Sequence, residues 1–440
     1  MAGPLPYPFH VMVKPHGPVC NLACRYCFYL HKSTLLESSS RWRMSDAVLE
    51  SFTRQYLAAH PDGFPVNFAW QGGEPTLMGV DFFRRAVALQ KQHRRDGQSV
   101  TNSFQTNGIL IDDDWAAFFK EHDFLVGVSV DGPRGIHNQH RVDTGGAGSF
   151  DRVMAGVGVL KRHGVHYNAL TCVSNISPPQ ALVIYRFLRE HFEHIQFIPV
   201  VEETGFAAAA PFLPDAAGTA GRKPGALVQG WSVTPEGYGE FLCTVFDEWM
   251  CHNVGRVFVQ LFDMTLARWV GRLAALCVFA PICGKALVLE HDGTVYACDH
   301  FVYPEYRVGA LSETPLAELV NGARQRRFGE DKRDRLPAKC RACAYLPLCG
   351  GGCPKERFIT APDGGRELNY LCAAFERFFK HTEHHLRAMA ELVMHGRPAA
   401  LHMDRLRAVP APPPRPNAPC PCGSGKRFKA CCGAAGRRTQ

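Results

Sequence analysis

Three cysteines stand close together near the N-terminus in the run CNLACRYCFY: Cys20, Cys24 and Cys27, spaced C-x3-C-x2-C. A [4Fe–4S] cluster has four irons and is saturated by four thiolates. Three thiolates on one short loop leave an iron open, and an open metal position binds an outside molecule, as the open position of a catalytic zinc binds water. A zinc site or chance spacing is the competing reading. Zinc usually takes a fourth ligand, and no nearby cysteine supplies one.

Eight further cysteines fall between residues 277 and 372. They read C-x5-C-x14-C-D for Cys277, Cys283 and Cys298, then C-x2-C-x5-C-x3-C for Cys340, Cys343, Cys349 and Cys353, then Cys372 after eighteen residues. Eight thiolates suffice for two fully ligated [4Fe–4S] clusters. Zinc accepts four thiolates as readily, so spacing alone leaves the metal open. The tail carries a third set, Cys420, Cys422, Cys431 and Cys432, in PCPCGSGKRFKACCG. So short a segment has no core of its own, and tetrahedral zinc would fold it outright; a disulfide pair is the alternative. Of the eighteen cysteines, Cys172, Cys243 and Cys251 are left over, and they read as ordinary buried thiols.

Other motifs sit near the first set: WQGGEPTL at 70–77, QTNG at 105–108 and SVDGP at 129–133. Glycines at 72 and 73 suit a place where something approaches the main chain closely. With the three-cysteine loop, these motifs closely resemble the radical SAM superfamily. The resemblance implies that the open iron chelates S-adenosylmethionine (SAM) and that electron transfer into its sulfonium releases a 5′-deoxyadenosyl radical. It implies that Tyr26 packs the adenine, that Gly72 and Gly73 approach the cofactor, and that Glu74 accepts from its ammonium. Ser129 and Asp131 are then candidates for its ribose or methionyl end, and Arg141 or Arg152 for its carboxylate.

The eight-cysteine block resembles the SPASM domain found behind many radical SAM cores. That resemblance implies one auxiliary cluster on Cys277, Cys283, Cys298 and Cys353 and a second on Cys340, Cys343, Cys349 and Cys372. Neither would have an open iron, so both would carry electrons; with the first loop this makes three [4Fe–4S] clusters. A more specific resemblance, over roughly residues 8–385, is to anaerobic sulfatase-maturating enzymes. It rests on CNLACRYCFYL, WQGGEPTLMG, SVDGP with His137 and Arg141, and YACDHF at 296–301. It implies oxidation of a Cys or Ser in an unfolded sulfatase segment to Cα-formylglycine. Asp299 would be the catalytic base, Tyr29 and Gln71 would contact the substrate, and a flavodoxin or ferredoxin would supply electrons. A carboxylate suits the step, because losing the thiol or hydroxyl proton makes the remaining electron easier to remove. The tail resembles the SEC-C motif, which implies Zn2+ and a docking partner. Two other readings compete: a radical SAM/SPASM maturase that cross-links a precursor peptide, and a non-catalytic metal-binding interaction protein.

These residues need a scaffold. Apolar, β-rich runs at 9–14, 66–70, 100–105, 125–130, 167–172 and 195–199 alternate with helical patterns at 45–60, 80–95, 112–120, 149–163 and 179–191. Ser45 and Ser149 look like helix caps. Six βα repeats predict a parallel sheet, too few units for a closed eight-fold barrel. The expected fold class is therefore α/β: a partial (β/α)6 barrel with ligands at the C-terminal strand ends, then an iron–sulfur-rich domain and a small zinc knuckle. The expected boundaries are 1–234 for the barrel, 235–395 for the auxiliary domain with its helices at 235–254, 259–276 and 373–395, 396–418 for a Pro-rich basic linker, and 419–440 for the knuckle. Residues 202–231, rich in Ala, Gly and Pro, read as a long loop.

The formal charge of +8 is a property of the tail: residues 396–440 hold nine Lys or Arg and one acidic residue, which leaves the body neutral. That argues against a nucleic-acid groove. Apolar runs are too short to cross a membrane, and the first residues, MAGPLPYPFH, lack the pattern of a secretory signal. Dense cysteine in a long, signal-free chain points to metal or redox chemistry in the cytoplasm.

Overall fold

A computed structural model describes residues 4–36, 42–203, 227–362, 364–365, 367–408, 417–418 and 427. All six expected strands form: β1 (His10–Lys14), β2 (Val66–Trp70), β3 (Val100–Thr106), β4 (Phe124–Ser129), β5 (His166–Val173) and β6 (His194–Pro199). They lie side by side in chain order and pair in parallel. Helices α1 (Asp46–Ala59), α2 (Val80–His93), α3 (Asp113–Glu121), α4 (Phe150–Arg162) and α5 (Ala181–His191) make the crossovers. Apolar side chains of the sheet, among them Val11, Phe68, Phe104, Val126 and Ala169, join Phe52, Phe83, Trp115, Val157 and Leu188 of the helices in one core. Each Val, Leu or Phe among them stabilises by about 1.5–3 kcal/mol when fully buried.

Capping differs at one helix. The Ser45 hydroxyl accepts from Val48 N, as its position before α1 predicts. Ser149 caps nothing: its hydroxyl donates to Arg141 O at 2.8 Å and meets His137 Nε2 at 2.9 Å. A tertiary partner has taken the side chain that local sequence assigns to the helix end.

The sheet does not stop at six strands. Among the described residues it has ten, with one more strand beyond β6 and three more beyond β1. The short β7 (Phe258–Val259) extends one edge beyond β6, after helix α6 (Pro235–His252). At the other edge β8 (Ala286–Glu290) runs parallel to β1, and β9 (Thr294–Tyr296) and β10 (Arg307–Ala310) complete an antiparallel meander. The cysteine-rich region is thus built onto the barrel sheet itself. Helix α7 (Gln260–Trp269) is shorter than expected, and α8 (Cys372–Met394) packs on α6. Residues Leu401–Ala408, expected within the Pro-rich linker, are helical. No described helix is long and apolar enough to cross a membrane.

Candidate active site at the strand ends

Parallel strands bring all their C-terminal ends to one side, and the motif residues gather there. The loop of Cys20, Cys24 and Cys27 follows β1. It is tied down by Ala23 N donating to Val142 O at 2.8 Å and Arg25 N to His140 O at 2.9 Å. The three thiols are close enough to influence one another's ionisation. Burial pushes Cys20 up to about 12 and also raises Cys24 and Cys27. They become thiolates only against metal charge, so the donor set fits a cluster whose binding expels protons.

The GGEP turn is pressed against this loop. Gly73 N donates to Gly17 O at 2.8 Å and Glu74 N to Val19 O at 2.9 Å. A Cβ on Gly73 would come within 2.0 Å of Val19 O. The close approach that glycine permits here is therefore to the backbone leading into the cysteine loop. Glu74 is completely buried. Its carboxylate accepts from Thr76 N (3.0 Å), Thr76 Oγ1 (2.6 Å), Thr106 Oγ1 (2.8 Å) and Asn107 N (2.7 Å), stapling the β2 end to the β3 end. Any cofactor ammonium would have to share an oxygen with these donors. Asn107 also donates to Asn21 Oδ1 at 2.7 Å, reaching the cysteine loop.

Asp131 and Arg141 form a buried ion pair, Nε to Oδ2 at 3.0 Å. Tyr26 also donates to Asp131 Oδ2, and Cys172 N donates to Oδ1 at 3.0 Å. Burial raises the Asp131 carboxyl, but the Arg141 guanidinium, together with His137 and the hydrogen bond from Tyr26, holds the group below its ordinary range. This pair braces Tyr26, between two of the cluster cysteines, against β5. Ser129 ends β4 next to it and is buried. Arg152 lies elsewhere, in a surface ion pair with Asp143 at 2.8 Å.

The second group centres on Lys14, which the sequence reading did not single out. Register sets it: Lys14 lies opposite Glu290 of β8, and its predecessor Val13 lies opposite Trp70, so Gln71 follows on the other side. Lys14 Nζ meets Asp299 Oδ1 at 2.6 Å, donates to Gln71 Oε1 at 3.0 Å and sits 4.2 Å above the Tyr29 ring. The Tyr29 hydroxyl donates to Glu290. Asp299, Gln71 and Tyr29, distant in sequence, are thus held by one ammonium. Tyr29 is 2% exposed and lies beneath Lys14, with its hydroxyl engaged. Burial raises the Asp299 carboxyl, but Lys14, together with His300 and Lys355, lowers it, and the net shift is downward. The Asp299 side chain keeps 17% exposure while Lys14 keeps 1%, so the carboxylate faces the mouth and the ammonium backs it. The signal for Lys14 was present: a lysine ending an otherwise apolar strand must find a counter-charge.

Asp299 follows Cys298 directly, which links this group to the auxiliary cysteines. Cys277 is an electrostatic neighbour of Cys283, Cys298 and Cys353. Cys340, Cys343, Cys349 and Cys372 line a single cavity together with Leu346, Phe375 and Phe379. The members of each foursome that the sequence resemblance implies thus lie near one another, and four thiols around an apolar hollow suit the chemistry of a fully ligated cluster. Burial pushes Cys349 and Cys353 up to about 12. It also pushes the nearby Lys332 ammonium down to about 8. Cys420, Cys422, Cys431 and Cys432 lie outside the described residues, as does most of the 202–231 segment. At the base of that segment Gln229 N donates to Glu202 O at 2.8 Å.

Comparison with known proteins places these features. Family models match for the radical SAM superfamily over residues 14–182, an iron–sulfur cluster-binding domain (SPASM) over 277–344 and the SEC-C motif over 417–434. The chain is 42% identical over 406 residues to the serine-type anaerobic sulfatase-maturating enzyme of Bacteroides thetaiotaomicron, covering 92% of this chain and 96% of that one. It is 34% identical over 382 residues to the cysteine-type anaerobic sulfatase-maturating enzyme of Clostridium perfringens strain 13, covering 85% and 96%. The solved structure of native anSMEcpe with bound AdoMet and Cp18Cys peptide superposes with a TM-score of 0.75 at 32% identity, covering 88% of this chain and all of that one.

Proposed function

The chain belongs to the anaerobic sulfatase-maturating enzymes of the radical SAM superfamily, and from that premise we propose that it oxidises one serine or cysteine of a sulfatase chain to Cα-formylglycine with Asp299 as the base. The observation that carries the assignment of the base is the partly exposed Asp299 carboxylate at the strand-end mouth, paired with Lys14 and one residue from Cys298. Serine is the preferred substrate, by likeness to the serine-type relative at 42% identity.

When bound, SAM and the three [4Fe–4S] clusters supply a radical that removes hydrogen from the substrate Cβ and an acceptor for the electron left behind. The chain's own residues do the rest. Asp299 takes the hydroxyl or thiol proton, and Lys14 keeps it ionised beforehand. Lys14 occupies the Gln71 oxygen, which turns the Gln71 amide NH2 toward the substrate backbone. Tyr29 supports Lys14 from below. For serine the balance is closed by one hydrogen atom to the radical, one proton to Asp299 and one electron out, leaving the aldehyde. A cysteine gives the thioaldehyde, which water converts to the same product with release of hydrogen sulfide.

The same reading divides the chain into a barrel (1–234), an auxiliary domain (235–395), a linker (396–418) and a zinc-binding SEC-C tail (419–440) that docks a partner. A flavodoxin or ferredoxin supplies electrons. The reducing conditions that thiolate clusters require place the work in the cytoplasm.

Anaerobic reconstitution with SAM and two sulfatase peptides, identical except for Ser or Cys at the target, tests this. Mass spectrometry is expected to show loss of two hydrogens from the Ser peptide. The Cys peptide would also exchange sulfur for oxygen. Formation of 5′-deoxyadenosine with neither product would return the cross-linking reading.

A further inference from the structure

Two cations lie buried among the auxiliary cysteines with no carboxylate in ion-pair distance among the described residues. Arg357 is 8% exposed and Lys332 is 1% exposed. Both give their hydrogen bonds to backbone carbonyls. Lys332 Nζ donates to Cys277 O at 2.6 Å, Val278 O at 2.9 Å and also to Ala280 O, all in the segment that carries Cys277. Arg357 donates to Lys332 O at 2.6 Å, Gly351 O at 3.0 Å and Gly350 O at 3.3 Å. Those glycines belong to the run Cys349-Gly-Gly-Gly-Cys353, in which all three glycines have positive φ, at 58°, 77° and 67°. Only glycine takes up this conformation in succession without strain, and it turns the carbonyls of the run inward onto the guanidinium. The run joins a ligand of one foursome to a ligand of the other.

The charge environments of the two cations differ. The thiols that act on Arg357 are Cys340 and Cys349 of one set and Cys353 and Cys283 of the other. Those that act most strongly on Lys332 are Cys283, Cys277 and Cys353, all of one set. Burying a guanidinium without a counter-charge is costly. Four thiolates around a [4Fe–4S] core leave a net dianion that becomes a trianion on reduction. A fixed cation in a poorly polarisable interior favours the more negative state.

We infer that Arg357 is a shared counter-charge for the two auxiliary clusters, raising the reduction potential of both so that they accept the electron released by the substrate, while Lys332 acts on the Cys277 cluster alone. This rests on the assignment of two auxiliary clusters made above.

The test is a redox titration of the full-length protein, reconstituted with iron and sulfide and followed by electron paramagnetic resonance. The signal of the Cys20 loop cluster is identified by its change on adding SAM. At wild-type iron content, Arg357→Gln is expected to move both auxiliary midpoint potentials to more negative values. Lys332→Met is expected to move only one. Unchanged potentials in Arg357→Gln, or movement of one alone, overturn the inference. If Arg357→Gln loses iron, Arg357→Lys decides. Restored iron with near-wild-type potentials supports the charge role. Iron loss there too assigns the residue to hydrogen-bond shape and overturns it. A wild-type protein without auxiliary iron sinks the cluster assignment instead.

Discussion

Two buried cations at the barrel mouth and two in the auxiliary region are answered in opposite ways. At the mouth, Arg141 pairs with Asp131 and Lys14 with Asp299. In the auxiliary region, Arg357 and Lys332 donate to carbonyls alone among the described residues. Those two pairs are balanced by protein, so substrate and cofactor can exchange beside them without stranding either charge; buried Lys32 lies over the Tyr303 ring instead. The auxiliary region holds positive charge for anions that, once built in, stay. A site with changing occupants carries its own counter-charges, whereas one with permanent occupants can leave that task to them.

The largest expected effect tests the working half of the mouth pair. Asp299→Asn should keep SAM cleavage, read as 5′-deoxyadenosine, and lose aldehyde by about 10²–10⁴-fold, the usual worth of a positioned general base. Retained aldehyde would reduce the Lys14 pair to a structural one.

Removing the other half strands the carboxylate. Lys14→Met should destabilise the metal-free chain by about 3 kcal/mol, as loss of one partner of a buried pair does, measured by anaerobic denaturant unfolding. The pH dependence has a definite sign. In the wild type, Asp299 lies below the ordinary aspartate value of 3.8. The stabilisation from the pair is therefore complete at neutral pH and is lost only as pH falls through that depressed value. In Lys14→Met burial raises the group against only the weaker charges of His300 and Lys355, so the acid limb of aldehyde formation should move toward neutral pH. An unmoved limb would break the comparison at its centre.

A smaller effect separates packing from charge. Gly73→Ala forces a Cβ into the Val19 carbonyl and should cost about 2 kcal/mol, in the range of ordinary backbone and packing lesions. Iron at the Cys20 loop should fall while auxiliary iron stays, measured by iron content and spectroscopy.

The smallest effect is a control on the surface. Arg152→Ala removes an exposed pair with Asp143 and should change stability by about 0.5 kcal/mol or less, with SAM cleavage unchanged. Lost cleavage would restore Arg152 as a cofactor contact.

Much of this was legible in the chain. Periods of two and of about 3.6 residues located six strands and five helices nearly to the residue, because each element must bury one face. The cysteine runs were legible as candidate ligands, since spacing on short loops is local, whereas their grouping into two foursomes came from resemblance alone. What stayed hidden was pairing across the sheet. Three short strands, β8 to β10, carry little periodicity, and nothing local says that β8 docks beside β1. Lys14 therefore read as the end of a strand. Ser149 and Asp131 sit where local rules favour a cap and a ligand contact, but buried His137 and Arg141 claim them.

The sequence alone determined the donor inventory: three thiols on one loop, eight in a block, four in a tail, and an aspartate beside a ligand. Those are covalent facts of order and spacing. The tertiary structure decided which donors share a space and which charges answer one another. Parallel register put Glu290 and Gln71 on either side of Lys14, and the glycine run between Cys349 and Cys353 put Arg357 between the two foursomes. Such encounters join residues up to about three hundred positions apart, and only the cost of leaving a buried charge unanswered selects them.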